Sequence, residues 1–595
     1  MKNGKLKIVS VAGAALLFAG SLAGCAGGAG GGSGNKYKTE LKIGVFNGGL
    51  GYAWADELAE KFEEKYKNVS FEPGKTGVDV IIDPQKELFK VDAIRSAIQQ
   101  NSSANDIYYT CYLFHRDFAN SGLVYNLNDI VNEKVYLENG EMADMTYNPA
   151  TKQYELNANA EAPTMSLLDK LGAQWKDAYY YDDNSALTAG YYALPYETSL
   201  EGFVYDHDLF EERGWLNYSG IDGTPETIDD FFDLLDRIVG ANMIPFTYKN
   251  GDYWAGVGSA YLAQYEGFEN AALTYTYSGK YTFRNLPQAT KDVFTPSFCT
   301  ENGITDNSDG TYTVTITPAN AWLLAYQPGK ESYIKFMRDL INPEYYDNNR
   351  YKASYDYLTA QTTFVLSKLG KQGQKRIAMI EEGEWWENEA RDNFNYTGGY
   401  GTRDFRFMIL PKISGQIDEN VQCIGSADIG TDLVVNAKSK QLDLCRLWLQ
   451  FSHSESALED FTLSNGVVRD SFEYDLSEEQ QQQLTKFGRN VYQIKKGLGA
   501  YANVKTVYPA SYTDCNAFYQ NTRMGGFGKT ISSTVMGKYG SWAATGYYLS
   551  DWFGDHAGVN GGEYVSAEDF IRGMHEYYDK QTWSDAFAGW QIQGA

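Results

Sequence analysis

The apolar positions of this chain alternate between two spacings, and the alternation predicts strands followed by helices. Residues 41–47, LKIGVFN, form an apolar run of strand length. After a glycine-rich turn, apolar side chains recur at helical spacing: Ala55, Leu58, Ala59, Phe62 and Tyr66. Residues 78–83 and 105–109 are further strand segments, with a helical pattern at 88–99 between them. This βαβαβ order predicts an α/β lobe with a mainly parallel sheet and helices on its faces.

The same alternation recurs around residues 376–391, RIAMIEEGEWWENEAR. The apolar residues 377–380 predict a strand, Gly383 a turn, and the residues after Trp385 and Trp386 the start of a helix. Ligands of open α/β sheets bind at the carboxyl ends of strands. The sequence therefore predicts binding side chains at this turn.

The rest of the chain carries further elements and three irregular segments. Strands are predicted at 201–205, 244–248, 405–410 and 431–435, and helices at 330–341, 355–369, 441–451, 477–496 and from about 567. Thr227 and Asp230 have the spacing of a capping box at a helix start. Residues 137–189 lack clear periodicity, and 270–318 reads as an insertion with a hairpin around Asp309 and Gly310. Further extra material lies near 500–560, where the glycine- and tyrosine-rich residues 520–562 read as a loop region.

The amino terminus predicts secretion and a lipid anchor. Three lysines precede the apolar residues 8–19, a stretch too short to span a bilayer. Residues 22–25, LAGC, resemble a bacterial lipobox, which predicts a signal peptide over 1–24 and lipidation of Cys25; the alternative is an ordinary secretory peptide with a chance cysteine. Residues 26–34 are almost entirely glycine and alanine, so 25–40 is expected to be a flexible tether.

Charge and composition narrow the class of ligand. The formal net charge is −26, which argues against nucleic acid and anionic membrane surfaces as partners. Aromatic residues make up 15% of the chain, with 12 Trp and 47 Tyr. Such rings combine an apolar face with a polar group, which suits the C–H faces and hydroxyls of sugars, although most of them are expected to be core residues.

Cysteine and histidine usage indicates neither a disulfide framework nor a metal site. Six cysteines occur, and lipidation of Cys25 leaves an odd number without a CxxC pair. Cys445 falls on an apolar helix face and is expected in the core. Five histidines with no HxxxH or HExxH spacing make zinc ligation unexpected. No cofactor and no metal is predicted.

Several motifs stand in an order that resembles the extracellular solute-binding proteins of bacterial carbohydrate ABC importers, the group that includes maltodextrin-binding proteins. They are the lipobox, NDI at 105–107, YALPY at 192–196, VYDHDLF at 204–210, PETIDDF at 225–231, AMI at 378–380 with GEW at 383–385, and NG at 465–466. The chain departs from the family at the turn of residues 383–386, where Glu384 and a second tryptophan replace a Gly-Pro-Trp-like sequence.

The resemblance implies two α/β lobes joined by hinge segments, with the ligand in the cleft between them and closure as a hinge motion. Crossings near 197, 411 and 452 would divide the chain into lobe 1, 41–197 plus 412–452, and lobe 2, 198–411 plus 453–595. It also implies a carbohydrate ligand, importer permease subunits as partners, an extracellular face location and a monomer.

Candidate ligand contacts come from the ends of predicted strands and from tryptophans. Trp385 is the leading stacking platform, and Trp386 beside it points elsewhere. The full predicted set is Asn47, Tyr52, Trp54, Tyr109, Thr110, Glu197, Trp254, Trp322, Trp385, Trp386, Asp428 and Trp542. For most of these a core position is the competing interpretation. Glu381, Glu382 and Glu384 are expected in a polar rim around the sugar.

Three other functions remain open at this level. A surface-anchored glycoside hydrolase would need two carboxylates on opposite sides of the scissile bond, whereas the glutamates here cluster on one turn. A lipoprotein that binds a peptide or another solute, or a surface adhesin, would share the leader and the fold. No catalytic residue is predicted.

Overall fold

Within the described residues, strand pairing gives two large sheets, of five and six strands, and four small ones of two or three strands. The structure, a computed structural model, describes residues 35–86, 91–100, 104–111, 115–182, 186–249, 254–351, 354–426, 431–508, 566–577, 579–581 and 583–584. The strands are β1 Thr39–Phe46, β2 Val78–Gln85, β3 Ile107–Cys111, β4 Lys134–Tyr136, β5 Met145–Asn148, β6 Gln153–Leu156, β7 Met165–Ser166, β8 Tyr180–Tyr181, β9 Gly190–Tyr191, β10 Leu194–Pro195, β11 Leu200–Asp206, β12 Ile244–Thr247, β13 Gly279–Phe283, β14 Thr305–Asp306, β15 Tyr312–Ile316, β16 Ile377–Gly383, β17 Phe405–Phe407, β18 Gln422–Ser426, β19 Thr431–Val435 and β20 Val504–Val507.

Helices cover and connect these strands. The α-helices are α1 Ala53–Tyr66, α2 Val91–Gln100, α3 His115–Asn120, α4 Asn128–Val131, α5 Leu167–Lys170, α6 Ala173–Tyr179, α7 His207–Arg213, α8 Ile228–Gly240, α9 Trp254–Glu266, α10 Phe268–Thr276, α11 Gln288–Val293, α12 Pro296–Glu301, α13 Pro328–Leu340, α14 Tyr357–Leu366, α15 Trp386–Glu389, α16 Leu442–Phe451, α17 Glu455–Asn465, α18 Glu478–Gln481, α19 Lys486–Lys495 and α20 Ala567–Tyr577. Short 3-10 helices lie at Ile221–Gly223, Ala321–Tyr326, Asn348–Tyr351, Ser367–Leu369, Lys371–Gly373, Arg391–Tyr396 and Gly499–Tyr501.

The first lobe is built on a five-stranded sheet in the order β10-β19-β3-β1-β2. Strand β1 pairs in parallel with β2 and β3, as the βαβαβ pattern predicted. Strand β19 pairs antiparallel with its two neighbours, β3 and β10. Helix α1 buries the predicted apolar stripe, from Ala55 to Tyr66, against this sheet. The fragments β4 to β9 and helices α4 to α6 form the irregular region predicted at 137–189 and its flanks.

The second lobe is built on a six-stranded sheet in the order β12-β16-β11-β18-β20, with β17 also paired to β11. Strand β11 is antiparallel to β16, β17 and β18. Because β12 is parallel to β16 and β18 is parallel to β20, β11 is the one strand of this sheet that runs against the others. In the first sheet that strand is β19. The expectation of mainly parallel sheets is therefore confirmed, with one antiparallel strand in each. Apolar periodicity carries no information about strand direction, which depends on which connections cross between lobes.

Two of the three predicted crossings are displaced. The first lies between Pro195 in β10 and Leu200 in β11, near the predicted 197. The second follows β18, not residue 411, because β18 pairs with β11 and β20 in the second sheet. The third follows α17, not residue 452, because α17 packs on α1 of the first lobe.

The insertion and the two faces of the second sheet complete the fold. The hairpin predicted around Asp309 and Gly310 is confirmed: β14 and β15 pair antiparallel across it, and β13 joins them. Along β11 and β16, Val204 and Ile380 belong to an apolar cluster shared with the first sheet. Phe203 and Met379 belong to a second cluster. Both faces of these strands are therefore buried. Among the described residues, no helix is long and apolar enough to cross a membrane.

Candidate functional site

The turn after β16 places an aromatic ring where the two lobes meet. Trp385 is half-buried and precedes the short helix α15. Its indole lies between two glycine backbones, one from each lobe. A β-carbon at position 383 would lie 2.3 Å from Trp385 Cη2, and one at position 49 would lie 2.6 Å from Trp385 Cδ1. The Trp385 side chain therefore contacts backbone from both lobes.

A second contact joins the same loops. The side-chain amide of Asn388 donates from Nδ2 to the Gly49 carbonyl oxygen at 2.9 Å. Gly49 belongs to the loop after β1, in which Asn47 and Tyr52 are also half-buried. The loop that carries Asn47 and Tyr52 thus contacts the Trp385 turn through Gly49.

A buried ionic cluster of Lys495, Glu384 and Asp470 holds the residue that precedes Trp385. The Lys495 ammonium lies 2.7 Å from Glu384 Oε2 and 3.4 Å from Asp470 Oδ1. It also donates to the carbonyl oxygens of Thr198, at 2.6 Å, and Val468, at 2.8 Å. The lysine therefore joins the first crossing, the segment after α17 and the residue that precedes Trp385.

The carboxylate of Glu384 is bound on both oxygens. The backbone amides of Leu200 and Val468 each donate to it at 2.9 Å. Burial raises the pKa of Glu384 to about 7, against the opposing effect of Lys495. Burial alone would lower the pKa of Lys495, but the carboxylates of Asp470 and Glu384 raise it above its ordinary value.

Two further carboxylates lie next to Trp385 and share one amide. Gln361 Nε2 donates to Glu382 Oε1 at 2.9 Å and to Glu389 Oε2 at 2.8 Å. The Gly383 amide donates to Glu382 Oε2 at 2.8 Å. Burial, and then the charge of Glu389, raises the pKa of Glu382 to about 8.

The expectation that Glu381, Glu382 and Glu384 form a polar rim is wrong, because all three side chains are buried. They lie on or directly after a strand whose two faces are both covered, so neither face offers solvent. Glu389, four residues after Trp385, is instead partly exposed to solvent.

Glu197 lies at the first crossing, as predicted, and is half-buried. Its backbone amide donates to Thr431 Oγ1 at 2.9 Å, and the Thr431 hydroxyl donates to its carbonyl oxygen at 2.9 Å. The Ser199 hydroxyl donates to its carboxylate. Burial raises the pKa of Glu197 above its ordinary value.

Six predicted site residues lie in the cores of the lobes instead. They are Trp54, Tyr109, Thr110, Trp254, Trp322 and Trp386. Trp54 packs on Tyr109, whose hydroxyl accepts a hydrogen bond from Trp448, and Thr110 donates to a backbone carbonyl. Neighbouring rings pack against each aromatic side chain of this set. The competing interpretation, a core position, therefore describes these residues.

Trp386 shows the reason most clearly. Its ring is fully buried among Phe364, Phe394, Phe405 and Phe487. Successive residues at a helix start point in different directions, so one tryptophan of the pair reaches the lobe boundary and the other the core. Asp428, Trp542 and Cys25 lie outside the described residues.

Several residues of the site were missed from the sequence. Asn388 could have been found, because three residues after Trp385 on a helix it shares that residue's side. Lys495 and Gln361 lie far away along the chain, and no local pattern signals their contacts with Glu384 and Glu382. Among the described residues, no group of three or more His, Cys, Asp or Glu side chains could hold a metal ion.

Comparison with known proteins identifies the fold. The structure resembles a chitin oligosaccharide binding protein, with a TM-score of 0.51 and 15% identity, covering 92% of this chain and 99% of that one. It also resembles the apo-form of RafE from Streptococcus pneumoniae, with a TM-score of 0.51 and 12% identity over 92% and 99% of the two chains. A third is a probable secreted solute-binding lipoprotein from Streptomyces coelicolor, at 0.51 and 10% over 91% and 99%.

At these identities the structural likeness establishes the two-lobed fold alone. No curated protein sequence matches this chain significantly. The family described as bacterial extracellular solute-binding protein matches residues 49–458, which include Gly49, the Trp385 turn and strands β2 to β19. The chain therefore belongs to the bacterial extracellular solute-binding proteins.

Proposed function

We propose that this protein captures a carbohydrate, of oligosaccharide size, between its two lobes and delivers it to an ABC importer. In this proposal Cys25 carries a lipid that holds the protein at the outer face of the cell membrane. The observation that carries the proposal is the half-buried Trp385 indole, which contacts Gly49 of the first lobe and Gly383 of the second, with the half-buried polar residues Asn388 and Glu389 three and four positions further along the chain. An aromatic face with polar groups at its edge suits a sugar ring.

The likeness in fold is consistent with this ligand class. A chitin oligosaccharide binding protein and a protein from a study of xylan utilization share the architecture at 15% and 14% identity. Those ligands belong to those proteins. The sugar bound by this chain is set by its own residues at the Trp385 turn.

A hydrolase is less well supported by the arrangement of carboxylates. Glycosidases place two carboxyl groups on either side of the scissile bond, with their separation fixed by the mechanism. Here Glu382 and Glu389 accept hydrogen bonds from the same amide nitrogen of Gln361, so they converge on one point. The remaining glutamates of the turn, Glu381, Glu384 and Glu387, are buried.

Calorimetry against a panel of neutral oligosaccharides, with chromatography of the products, tests the proposal. Binding without turnover supports it, whereas steady release of reducing sugar would identify an enzyme. Absence of heat with every glycan, combined with binding of peptides, would replace it with the peptide-binding function.

Replacement of Trp385 by Ala provides the residue-level test. We expect the affinity for the bound sugar to fall about 30-fold, or about 2 kcal/mol, the loss typical of a central aromatic contact. Trp385→Phe is the matched control and should retain most of the affinity because it keeps an aromatic face. An unchanged affinity of the Ala variant would place the sugar elsewhere.

A further inference from the structure

The loop after β1 and the turn after β16 meet through two contacts that use the same residue of the first lobe. Gly49 lies against the Cβ–Cγ–Cδ1 edge of Trp385, and its carbonyl oxygen accepts the hydrogen bond from Asn388. Trp385 and Asn388 are three residues apart, so helix geometry places them on one side of the turn. The two contacts therefore act on one point of the opposite lobe.

Glycine is required at position 49 by space and not by backbone conformation. Gly51 in the same loop has φ +64° with open space around a β-carbon, so its glycine relieves backbone strain. Gly49 has no such dihedral angle, but a β-carbon there would lie 2.6–2.7 Å from three atoms of Trp385. Across the ring, Gly383 creates the same need, at 2.3–2.5 Å.

The two glycines contact opposite ends of the Trp385 side chain, and we call this arrangement the glycine slot. Gly49 of the first lobe lies against Cβ, Cγ and Cδ1, and Gly383 of β16 lies against the six-membered ring. In this position the Trp385 side chain contacts both backbones so closely that neither has room for a β-carbon. Asn388 holds the first-lobe backbone at that distance with a directional hydrogen bond. Opening of the lobes would break the contact at Gly49 and leave the one at Gly383 intact.

We propose that Gly49 and Asn388 form an interlobe latch, in which Asn388 fixes the Gly49 backbone against Trp385 and thereby sets the orientation of the ring that receives the ligand. Both are positioning residues, since they act through Trp385. The latch rests on the contacts themselves, and its effect on sugar affinity rests on the proposed function.

A double-mutant cycle tests the latch. Gly49→Ala should weaken sugar binding about tenfold or more, because the added methyl group displaces the indole. In a Trp385→Gly background, which also removes the Trp385 Cβ that the new methyl group would meet, the same substitution should change the affinity less than about twofold. Gly48→Ala is the control: its β-carbon would meet Phe46 of its own lobe, so its effect should be equal in both backgrounds.

The hydrogen bond has its own matched pair of variants. Asn388→Ala should weaken binding about fivefold, the effect of one lost hydrogen bond, chiefly through faster dissociation. Asn393→Ala removes an amide that bonds Thr362 within the second lobe at 3.0 Å and should change the affinity less than about twofold. Equal effects of the two substitutions, or no coupling between Gly49 and Trp385, would overturn the proposal.

Small-angle X-ray scattering separates the latch from the choice of ligand. Without sugar, Gly49→Ala and Asn388→Ala should each give a larger radius of gyration than the parent protein and the Asn393→Ala control. If the parent protein binds no glycan, the carbohydrate function fails and the scattering alone decides the latch. Identical radii for all four proteins would refute it.

Discussion

Replacement of Lys495 by Met is expected to destabilise the protein more than any other single change of charge in the described residues of the site. The ammonium group is fully buried and contacts four oxygen atoms, those of Glu384, Asp470, Thr198 and Val468. Methionine has a similar length and fills the space, so the substitution isolates the loss of the charge from the loss of volume.

The magnitude follows from what is left behind. Removal of one partner from a buried ion pair costs about 3–5 kcal/mol, because the remaining charge stays buried without compensation. Glu384 keeps its two backbone donors, and Asp470 keeps the Thr198 hydroxyl at 2.5 Å, which lessens the cost. We therefore expect a loss of about 3 kcal/mol in the free energy of unfolding at pH 8.

The loss should depend on pH because Glu384 titrates near 7. Removal of Lys495 raises the pKa of Glu384 further, because the lysine is the group that opposes the effect of burial. At acid pH the carboxyl group is therefore neutral in the variant and leaves less uncompensated charge. The destabilisation should thus be smaller at pH 5.5 than at pH 8.5. In the double variant Lys495→Met, Glu384→Gln, about half of the lost stability should return at pH 8.

Urea unfolding followed by tryptophan fluorescence and circular dichroism measures these differences. Lys412→Met is the matched control, because its pair with Glu226 is about one-third exposed on both sides and should contribute less than about 1 kcal/mol. A loss below 1 kcal/mol for Lys495→Met, or one independent of pH, would refute the argument that this cluster stabilises the crossings.

Three other predictions address the turn and the anchor. Trp386→Ala should cost about 3–5 kcal/mol of stability by urea unfolding, because its ring is buried among four phenylalanines; a loss under 1 kcal/mol would place it outside the core. Because the pKa of Glu382 is raised, its stabilising contribution is complete below about pH 4.5 and is lost as pH rises through about 8. Glu382→Gln should therefore flatten the decline of melting temperature over that range, and an unchanged slope would contradict this prediction. Cys25→Ser should move the protein from the membrane fraction into the medium, as fractionation and immunoblotting would detect, and retention at the membrane would contradict lipidation there.

Local patterns predicted the elements of this fold well where a helix or strand has one buried face. Helix α1 buries the apolar stripe read from its sequence, and the capping box of Thr227 and Asp230 is present at the start of α8. The strand at 431–435 has the predicted bounds, and Cys445 is fully buried as expected. These features depend on residues within a few positions of one another.

The assignment of chain segments to lobes was less successful for a physical reason. Strand β18 joins the second sheet through pairs such as Leu200 with Ser426, more than 200 residues apart in sequence. Helix α17 packs on α1, which lies even further away along the chain. Register and partner choice between such segments depend on burial of both sheet faces, which short-range periodicity does not record.

The sequence by itself determined the class of protein and the position of Trp385 at the end of a strand, because hydrophobic spacing and the glycine turn are local properties. Only the tertiary structure decided which aromatic residues lie at the lobe boundary: Trp385 rests in a glycine slot, whereas Trp386, Trp54 and Trp254 pack in cores. Only it decided that Glu384 is a buried partner of Lys495 and not part of a polar rim, since that lysine lies 111 positions further along the chain and reaches the turn through the packing of α19.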